Sequence, residues 1–465
     1  MSRSVLLVSY HFAPQNAIGA VRPTKLAKYL TRMGYRVTVL CGSSPDSVQD
    51  PLLKRDSAEL EDVHIVRERS LLRWWKTRGG KPPAPPALTD RAVLMQRGLT
   101  EEEMRAQSAA GAAAGPEAAV SPAPPAVGTS APARRNPLLD ALYLWLAGRS
   151  DAAFARACLR ELRGMHRRFD IVLSTYGPAS VHTVARKAKQ ARVADRWIAD
   201  FRDEVTAPFS RGRSWSRRYL RAVRRGADAI TTISAGTAKV MGLDSFAQVI
   251  HNGFDAEDLA GLAFPPKRTD KLAFVHCGQM YGALRDLTPF FRALRELADE
   301  GAVDPARVEL VYAGRDTGGF VTQATEAGLA SCLRGYGFLP RDASLALQKS
   351  AHVLLLAAWN VRRRQGNLPG KFLEYLMLDM PVLCCVSGDV PGSELAEIMR
   401  RTRIGFCYEQ ASATADAPRL KAYVRELYDA FVHNRPLPFD PNPEEIAAFG
   451  YAGVARAFAR LIDRV

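Results

Sequence analysis

GNLPGKFLEYLMLDMPVLCC, residues 366–385, reads as loop, helix, turn and strand in that order. Gly366, Asn367, Pro369 and Gly370 form a cluster of helix breakers. A helix is predicted from about Lys371 to Leu378, with Phe372, Tyr375 and Leu376 sharing one face at i, i+3, i+4 spacing. Asp379-Met380-Pro381 stops it, and Val382–Cys385 is a short apolar strand of the kind buried on both faces. A helix that begins behind a glycine-rich loop presents free backbone N–H groups and the positive end of its dipole, a setting for phosphate. Glu374 lies one turn into the helix. Its carboxylate can accept from two neighbouring sugar hydroxyls, so the stretch suggests a nucleoside diphosphate with Glu374 on the ribose. An ordinary αβ unit with a solvent-facing glutamate fits the same residues, because glycine-rich loops before helices are common.

At 465 residues the chain is too long for a single core, and two domains are expected. With 47% hydrophobic residues it has the composition of a globular protein. No apolar run reaches the roughly 18 residues of a membrane span. The N-terminal MSRSVLLVSYHF lacks the long apolar core and small-residue cleavage site of a signal peptide and reads as a first strand. Seven cysteines, with no CxxC, suggest reduced buried thiols in a reducing cytoplasm. The net charge of +16 favours anionic partners: nucleic acid, anionic lipid or phosphorylated ligands. Zinc-finger spacing, RNP-type aromatic strands and helix-turn-helix signals are missing from the sequence, which argues against nucleic acid.

Working outward, strands alternate with helices along the chain. Ser4–Tyr10 is a strand, a loop carries Gly19, a helix opens near Arg22-Pro23, and Arg36–Cys41 is the next strand. Residues 77–136 are rich in Pro, Ala and Gly and are expected to be disordered, apart from a short helix at 101–110. The rhythm resumes with a long helix from 138 to about 168 and strands at Asp170–Ser174, Arg196–Asp200 and Asp228–Thr232. The first domain is placed at 1–252. A second αβ series, 253–445, contains the opening stretch, and 446–465 supplies a terminal helix packing across the domains. Two successive α/β domains with ligand-binding strand ends suggest a cleft for a bipartite ligand.

The segments YHFAPQNAIGAVRPTKLAKYLTRMGYRVTVL, WIADFRDE, ADAITTIS, VIHNGFD, FVHCGQMYGALRD, GYGFLP and LPGKFLEYLMLDMPVL occur in that order. As a set they resemble glycosyltransferase family 4, and within it the bacterial surface-polysaccharide members. The resemblance implies the α/β GT-B fold, two Rossmann-like doubly wound domains facing a central cleft. It also implies a retaining hexosyltransferase that uses a UDP- or GDP-sugar as co-substrate, with neither cofactor nor metal implied. Its acceptor would be a glycan or a polyprenyl-diphosphate-linked glycan. On matching positions, Glu374 is similar to the acid that holds the donor ribose, and Gly370 and Lys371 to the helix start facing the diphosphate. Arg285 resembles the cation that neutralises the leaving diphosphate, and Gly278 the residue that lets backbone approach it. Gly337, Phe338 and Leu339 resemble the edge that holds the base, and Gly19 the first-domain glycine beside diphosphate and acceptor. The family's second acid, with seven residues between it and the ribose-binding one, is here Gly366, with Gln365 or Asn367 as substitutes for its grip on the donor sugar. Asp286 stands where a lysine is common. The family's first-domain histidine is replaced near Tyr176, and His182 is a candidate for its catalytic place.

On the acceptor side, Asp200, Arg202 and Asp203 follow a strand's carboxyl end, together with Tyr176; a local Arg–Asp pair fixing the loop is the plainer alternative. Arg211–Arg225, RGRSWSRRYLRAVRR, contains no acid and repeats Trp215, Tyr219 and Val223 every four residues. Such a helix can lie on an anionic membrane, or pack its stripe on its own sheet. Leu71–Lys76 and Leu142–Leu146 add aromatic and apolar groups. The expected location is the cytoplasm, peripheral to the inner face of the plasma membrane. Alternatives that stay open are a catalytically impaired nucleotide-sugar-binding regulator and an epimerase or hydrolase on the same fold.

Overall fold

The computed structural model describes residues 3–42, 49–67, 137–205, 212–280, 284–314, 318–362 and 365–465. The stretches 71–76, 77–136 and 101–110 lie outside the described residues. The chain divides into two compact units. The first contains residues 1–232, 241–248 and 459–465, and the second contains 233–240 and 249–458.

The first unit is built on a seven-stranded sheet. Its strands are β1 (Ser4–Ser9), β2 (Arg36–Gly42), β3 (Val63–Val66), β4 (Phe169–Thr175), β5 (Ala194–Phe201), β6 (Ala229–Thr232) and β7 (Ala247–Val249). Their order is β3-β2-β1-β4-β5-β6-β7. The pairs from β3 through β6 are parallel. The second unit has a six-stranded sheet of β8 (Leu272–Cys277), β9 (Val308–Ala313), β10 (Leu333–Gly335), β11 (Val353–Trp359), β12 (Val382–Ser387) and β13 (Gly405–Glu409). Their order is β10-β9-β8-β11-β12-β13, and every pair is parallel. Both sheets carry the doubly wound 3-2-1-4-5-6 order, so each reverses direction of winding once, between β1 and β4 and between β8 and β11. A crevice at the carboxyl ends of the strands is built at such a reversal.

Why these strands are central follows from their composition. LAFVHC, VELVYA, VLLLAAW and VLCCVS have burial on both faces, as parallel strands covered by helices must. The two faces of the second sheet hold separate cores. One centres on Phe274, Phe290, Phe291 and Tyr312, the other on Val275, Phe372, Tyr375 and Leu376. All seven cysteines are free thiols and six are buried, as expected.

One expectation is corrected here, and one open alternative is decided. The helix predicted to open near Arg22-Pro23 runs from Ile18 to Arg32 (α1), so Pro23 sits inside it rather than at its first turn. Pro23 has no N–H, so the Gly19 carbonyl lacks its helical i→i−4 donor. The arginine-rich helix Gly212–Gly226 turns its stripe inward: Val223 is buried, the Tyr219 hydroxyl donates to the Ala179 carbonyl at 3.1 Å, and Trp215 stacks on Tyr219 with ring centroids 5.2 Å apart. Arg217, Arg218, Arg221, Arg224 and Arg225 remain exposed on its other side. The helices Pro51–Ser57, Gly318–Glu326 and Ala413–Val432 have no counterpart in the sequence reading. Among the described residues no helix is long and apolar enough to cross a membrane.

Candidate functional site

The predicted donor residues collect at the β8/β11 reversal of the second unit. Helix α2 (Gly370–Leu378) starts there, directly after Pro369, and no side chain caps its N-terminus. Its first turn carries no acid, so the exposed amide end is open to an anion. Six of its nine residues are buried, which leaves Lys371 and Glu374 as its only charged groups. They pair at i, i+3 spacing, Lys371 Nζ to Glu374 Oε1 at 2.6 Å, with both side chains mostly buried. The second oxygen of Glu374 is left out of that pair.

Gly278 follows β8 with φ +149°, a backbone conformation that favours glycine. Its carbonyl accepts from the Tyr312 hydroxyl at 2.8 Å and its N–H donates to the Ala313 carbonyl at 2.9 Å. A Cβ on Gly278 would meet His276 Nε2, Lys371 Cγ and Lys371 Cε as its nearest atoms, in ordinary contact at 3.8, 3.8 and 3.9 Å. A small vacancy therefore sits between the end of β8 and the start of α2. Arg285 lies on the loop after β8. Its Nη1 donates to the Gln279 carbonyl at 2.6 Å, and its guanidinium stands 5.8 Å from the ring centre of Trp359, at the end of β11. Asp286 accepts from the Thr288 amide at 2.9 Å, which explains an acid where a lysine is common: it serves the first turn of the helix Thr288–Asp299. Gly337 bonds through its carbonyl to the Gly314 N–H at 2.8 Å, holding the end of β10 against the end of β9. Phe338 beside it is 62% exposed, and Leu339 packs on the core.

Gly366 has φ +72° and no room for a side chain. The segment 233–240 packs on it: a Cβ at Gly366 would lie 2.6 Å from Gly236 Cα and 2.7 Å from Ser234 Oγ. Glu394 holds that segment by accepting from the amides of Ala235 and Gly236 at 3.1 and 3.4 Å. Gln365 is tied to Lys239 Nζ at 3.3 Å. Asn367, by contrast, has a shielded Nδ2 with no hydrogen-bond partner among the described residues.

In the first unit the predicted residues separate into a group at the strand ends and a deeper group. Arg202, after β5, donates through Nε to the Tyr176 carbonyl at 2.6 Å, after β4. Its guanidinium fills the space where a Gly19 side chain would be, with Nη2 2.6 Å from that position. Asp203 is exposed, 3.8 Å from Arg202 Nε. His11, after β1, is pushed below its ordinary pKa, mainly by burial and further by the Arg202 cation. Gly19, Tyr176 and Arg202 thus come together at the first sheet's reversal.

Asp200 and His182 are inside. Asp200 is fully buried, with Arg22 Nε and Nη2 on its two oxygens at 2.9 Å each and Thr231 Oγ1 donating at 2.7 Å. Arg22 was not legible as its partner, because 178 residues separate the two. His182 is 1% exposed, with Nδ1 2.8 Å from Ser174 Oγ. That hydroxyl also accepts from Trp197 Nε1 at 2.8 Å and lies 3.5 Å from the Ile198 carbonyl. The rings of Phe201, Tyr219, Tyr176 and Trp197 surround it. Burial lowers its pKa to about 3, against a small opposing pull from Asp200, so His182 is neutral. Burial likewise raises the Tyr176 hydroxyl.

No family model matches the chain, and no curated protein does. Solved structures do. The apo form of the lipopolysaccharide outer core galactosyltransferase WaaB is 12% identical with a TM-score of 0.54, over 99% of this chain and 100% of that one. Sucrose-phosphate synthase from Thermosynechococcus elongatus is 12% identical with a TM-score of 0.53, over 99% and 98%. A UDP-forming trehalose-phosphate synthase from Burkholderia xenovorans is 12% identical with a TM-score of 0.53, over 100% and 99%. At that identity the likeness is one of fold, and it spans whole chains: the two Rossmann-like units are those of the GT-B architecture expected from the sequence.

Proposed function

We propose that the protein is a glycosyltransferase that moves a sugar from a nucleotide-diphosphate sugar, UDP- or GDP-linked, to a glycan or polyprenyl-diphosphate-linked glycan with retention of configuration. The observation that carries this reading is the uncapped start of α2 beside the Gly278 vacancy, with Lys371, Glu374 and Arg285 around it. Amide groups and two cations would receive the diphosphate, and the free oxygen of Glu374 would accept from a ribose hydroxyl. Arg285 would oppose the charge that builds on the departing nucleotide. The Gly337–Leu339 edge would meet the base. The donor sugar would be met by the neutral amide of Asn367 in place of a carboxylate, since Gly366 has no space for one and Gln365 is engaged. Arg202 and Gly19 would serve the acceptor side. The fold neighbours, a galactosyltransferase, a sucrose-phosphate synthase and a trehalose-phosphate synthase, are compatible with this reading.

The test is calorimetric titration of UDP-, GDP- and ADP-sugars into the wild-type protein and Glu374→Ala, followed by mass spectrometry of products on polyprenyl-diphosphate-linked acceptors. Binding that weakens at least tenfold in the variant (about 1.4 kcal/mol), together with a glycosylated product, is the expected result. Equal affinity in the variant removes Glu374 from the ribose. Binding without any product favours the nucleotide-sugar-binding regulator, a reading that the loss of the acid at Gly366 keeps in play. For work on lipid-linked acceptors we propose attachment at the inner face of the plasma membrane, serving surface-polysaccharide synthesis. The exposed arginines of the helix Gly212–Gly226 would hold anionic lipid by charge alone, because the apolar stripe is spent on the sheet. Neutralising Arg217, Arg218, Arg221 and Arg224 should abolish sedimentation with phosphatidylserine vesicles; undiminished sedimentation would sink this attachment.

A further inference from the structure

His276 belongs to β8 at the second sheet's reversal, is 1% exposed, and has no role in the reading above. Its Nδ1 lies 2.9 Å from the Leu355 carbonyl of β11. A ring nitrogen facing a carbonyl must carry the proton, so the neutral ring keeps its lone pair on Nε2. Nε2 is shielded and has no hydrogen-bond partner among the described residues. The ring is stacked against Tyr312 at 6.0 Å and Phe320 at 6.1 Å, which fixes its direction. That direction is the space at Gly278: Nε2 is 3.8 Å from the position a Cβ would take there, as near as the Lys371 stem. A buried polar atom without a partner is destabilising, so a group that satisfies it on arrival recovers that cost.

A phosphate oxygen seated against Gly278 would meet a lone pair, and two acceptors do not bond. The contact turns favourable only when Nε2 carries a proton. We propose that His276 is a proton-linked ligand of the diphosphate: when the anion settles at Gly278, Nε2 takes one proton from solvent and the new N–H donates to a phosphate oxygen. No covalent bond is made or broken besides the N–H, and the proton returns to solvent on release. This inference rests on the reading of the second unit as a nucleotide-diphosphate site.

The groups around the ring set the sign. In the free protein burial, followed by the cations Arg285 and Lys371, lowers the His276 pKa to about 4, against the Leu355 bond, which raises it. Glu374 is paired with Lys371, the Tyr312 hydroxyl is spent on Gly278, and Phe320 is apolar. The free ring is therefore neutral near pH 7. A diphosphate brings negative charge between the ring and both cations, cancels their effect and raises the pKa in the complex.

The experiment is calorimetric titration of UDP-, GDP- and ADP-glucose into the full chain in buffers of different ionisation enthalpy. Both phosphates of these ligands are esterified and hold no proton that titrates near neutrality. Wild type should take up a proton on binding, rising toward one per ligand, and its affinity should rise by up to about tenfold per pH unit lowered between pH 8 and 6. His276→Gln should take up none, with a flat profile, while His276→Phe, which keeps the ring stack, should do the same. Binding by wild type without proton uptake overturns the proposal and leaves the donor site standing. Uptake that persists in both variants also overturns it. No binding of any of the three ligands overturns this proposal and the glycosyltransferase reading together.

Discussion

Gly366→Ala is a one-carbon change that the structure forbids twice over. At φ +72° an L-residue is left-handed, which costs about 1–2 kcal/mol. The added carbon would also stand 2.6 Å from Gly236 Cα and 2.7 Å from Gly236 N, about 1 Å inside ordinary contact. Both neighbours are backbone, so they cannot rotate away. Ser234 Oγ, also at 2.7 Å, is held by Thr237 through bonds of 2.8 and 3.0 Å. Overpacking of this kind costs about 1–3 kcal/mol, so the total is about 2–5 kcal/mol. Unfolding followed by scanning fluorimetry should record a fall of roughly 2–4 °C for each kcal/mol in a domain of about 200 residues. Gly236→Ala attacks the same contact from the other side, since its Cβ would fall within the Gln365–Gly366 backbone. The double variant should therefore lose less than the sum of the single losses, with a coupling of at least about 0.5 kcal/mol. A Gly366→Ala protein as stable as its parent, or strictly additive losses, would falsify the argument that sterics exclude an acid at this position.

Two further outcomes concern buried charge. Asp200→Asn leaves the buried Arg22 guanidinium facing a neutral amide and should cost about 3–5 kcal/mol in chemical denaturation; an unchanged midpoint would mean that the pair contributes nothing to the first unit. His182 and His276 have folded pKa values of about 3 and about 4, below the ordinary 6.5. The unfolded chain thus binds protons first, and stability is lost as pH falls from about 6.5 toward 4, by about 2 kcal/mol per histidine at pH 5. Melting temperatures should drop over that window and drop less in His182→Phe; a profile flat from pH 7 to 5 contradicts the buried neutral state.

Much of this was legible because the signals are local. The run 366–385 shows a breaker cluster, a helix of buried residues and a strand, and the structure has all three within a residue or two. Period and punctuation also located β8, which Gly278 and Arg285 follow, and the helix that carries Glu374. What escaped depends on residues far apart in the chain. Nothing near Asp200 announces Arg22, and nothing near His276 announces the Leu355 carbonyl. A histidine inside the apolar strand LAFVHC, just before a glycine, was the available hint. The arginine-rich helix was ambiguous for a different reason: an apolar stripe at four-residue spacing is the same whether it meets lipid or the helix's own sheet, and only the Tyr219 and Val223 contacts decide. Pro23 misled because proline favours first turns, yet α1 begins five residues earlier.

The chain passes between its two units at 232/233, 240/241, 248/249 and 458/459. The short exchanged pieces are fasteners: Glu394 grips the 233–240 segment, while Arg3 and Tyr35 grip the backbone of Ile462 and the side chain of Asp463. No single cut in the polypeptide yields two intact halves. A second-unit fragment begun at 249 would bare the Gly366 backbone and strand the Glu394 carboxylate, and a chain stopped at 458 would strip the opening strand of its far anchor, so genetic dissection of this protein has to follow the lacing rather than the order of residues.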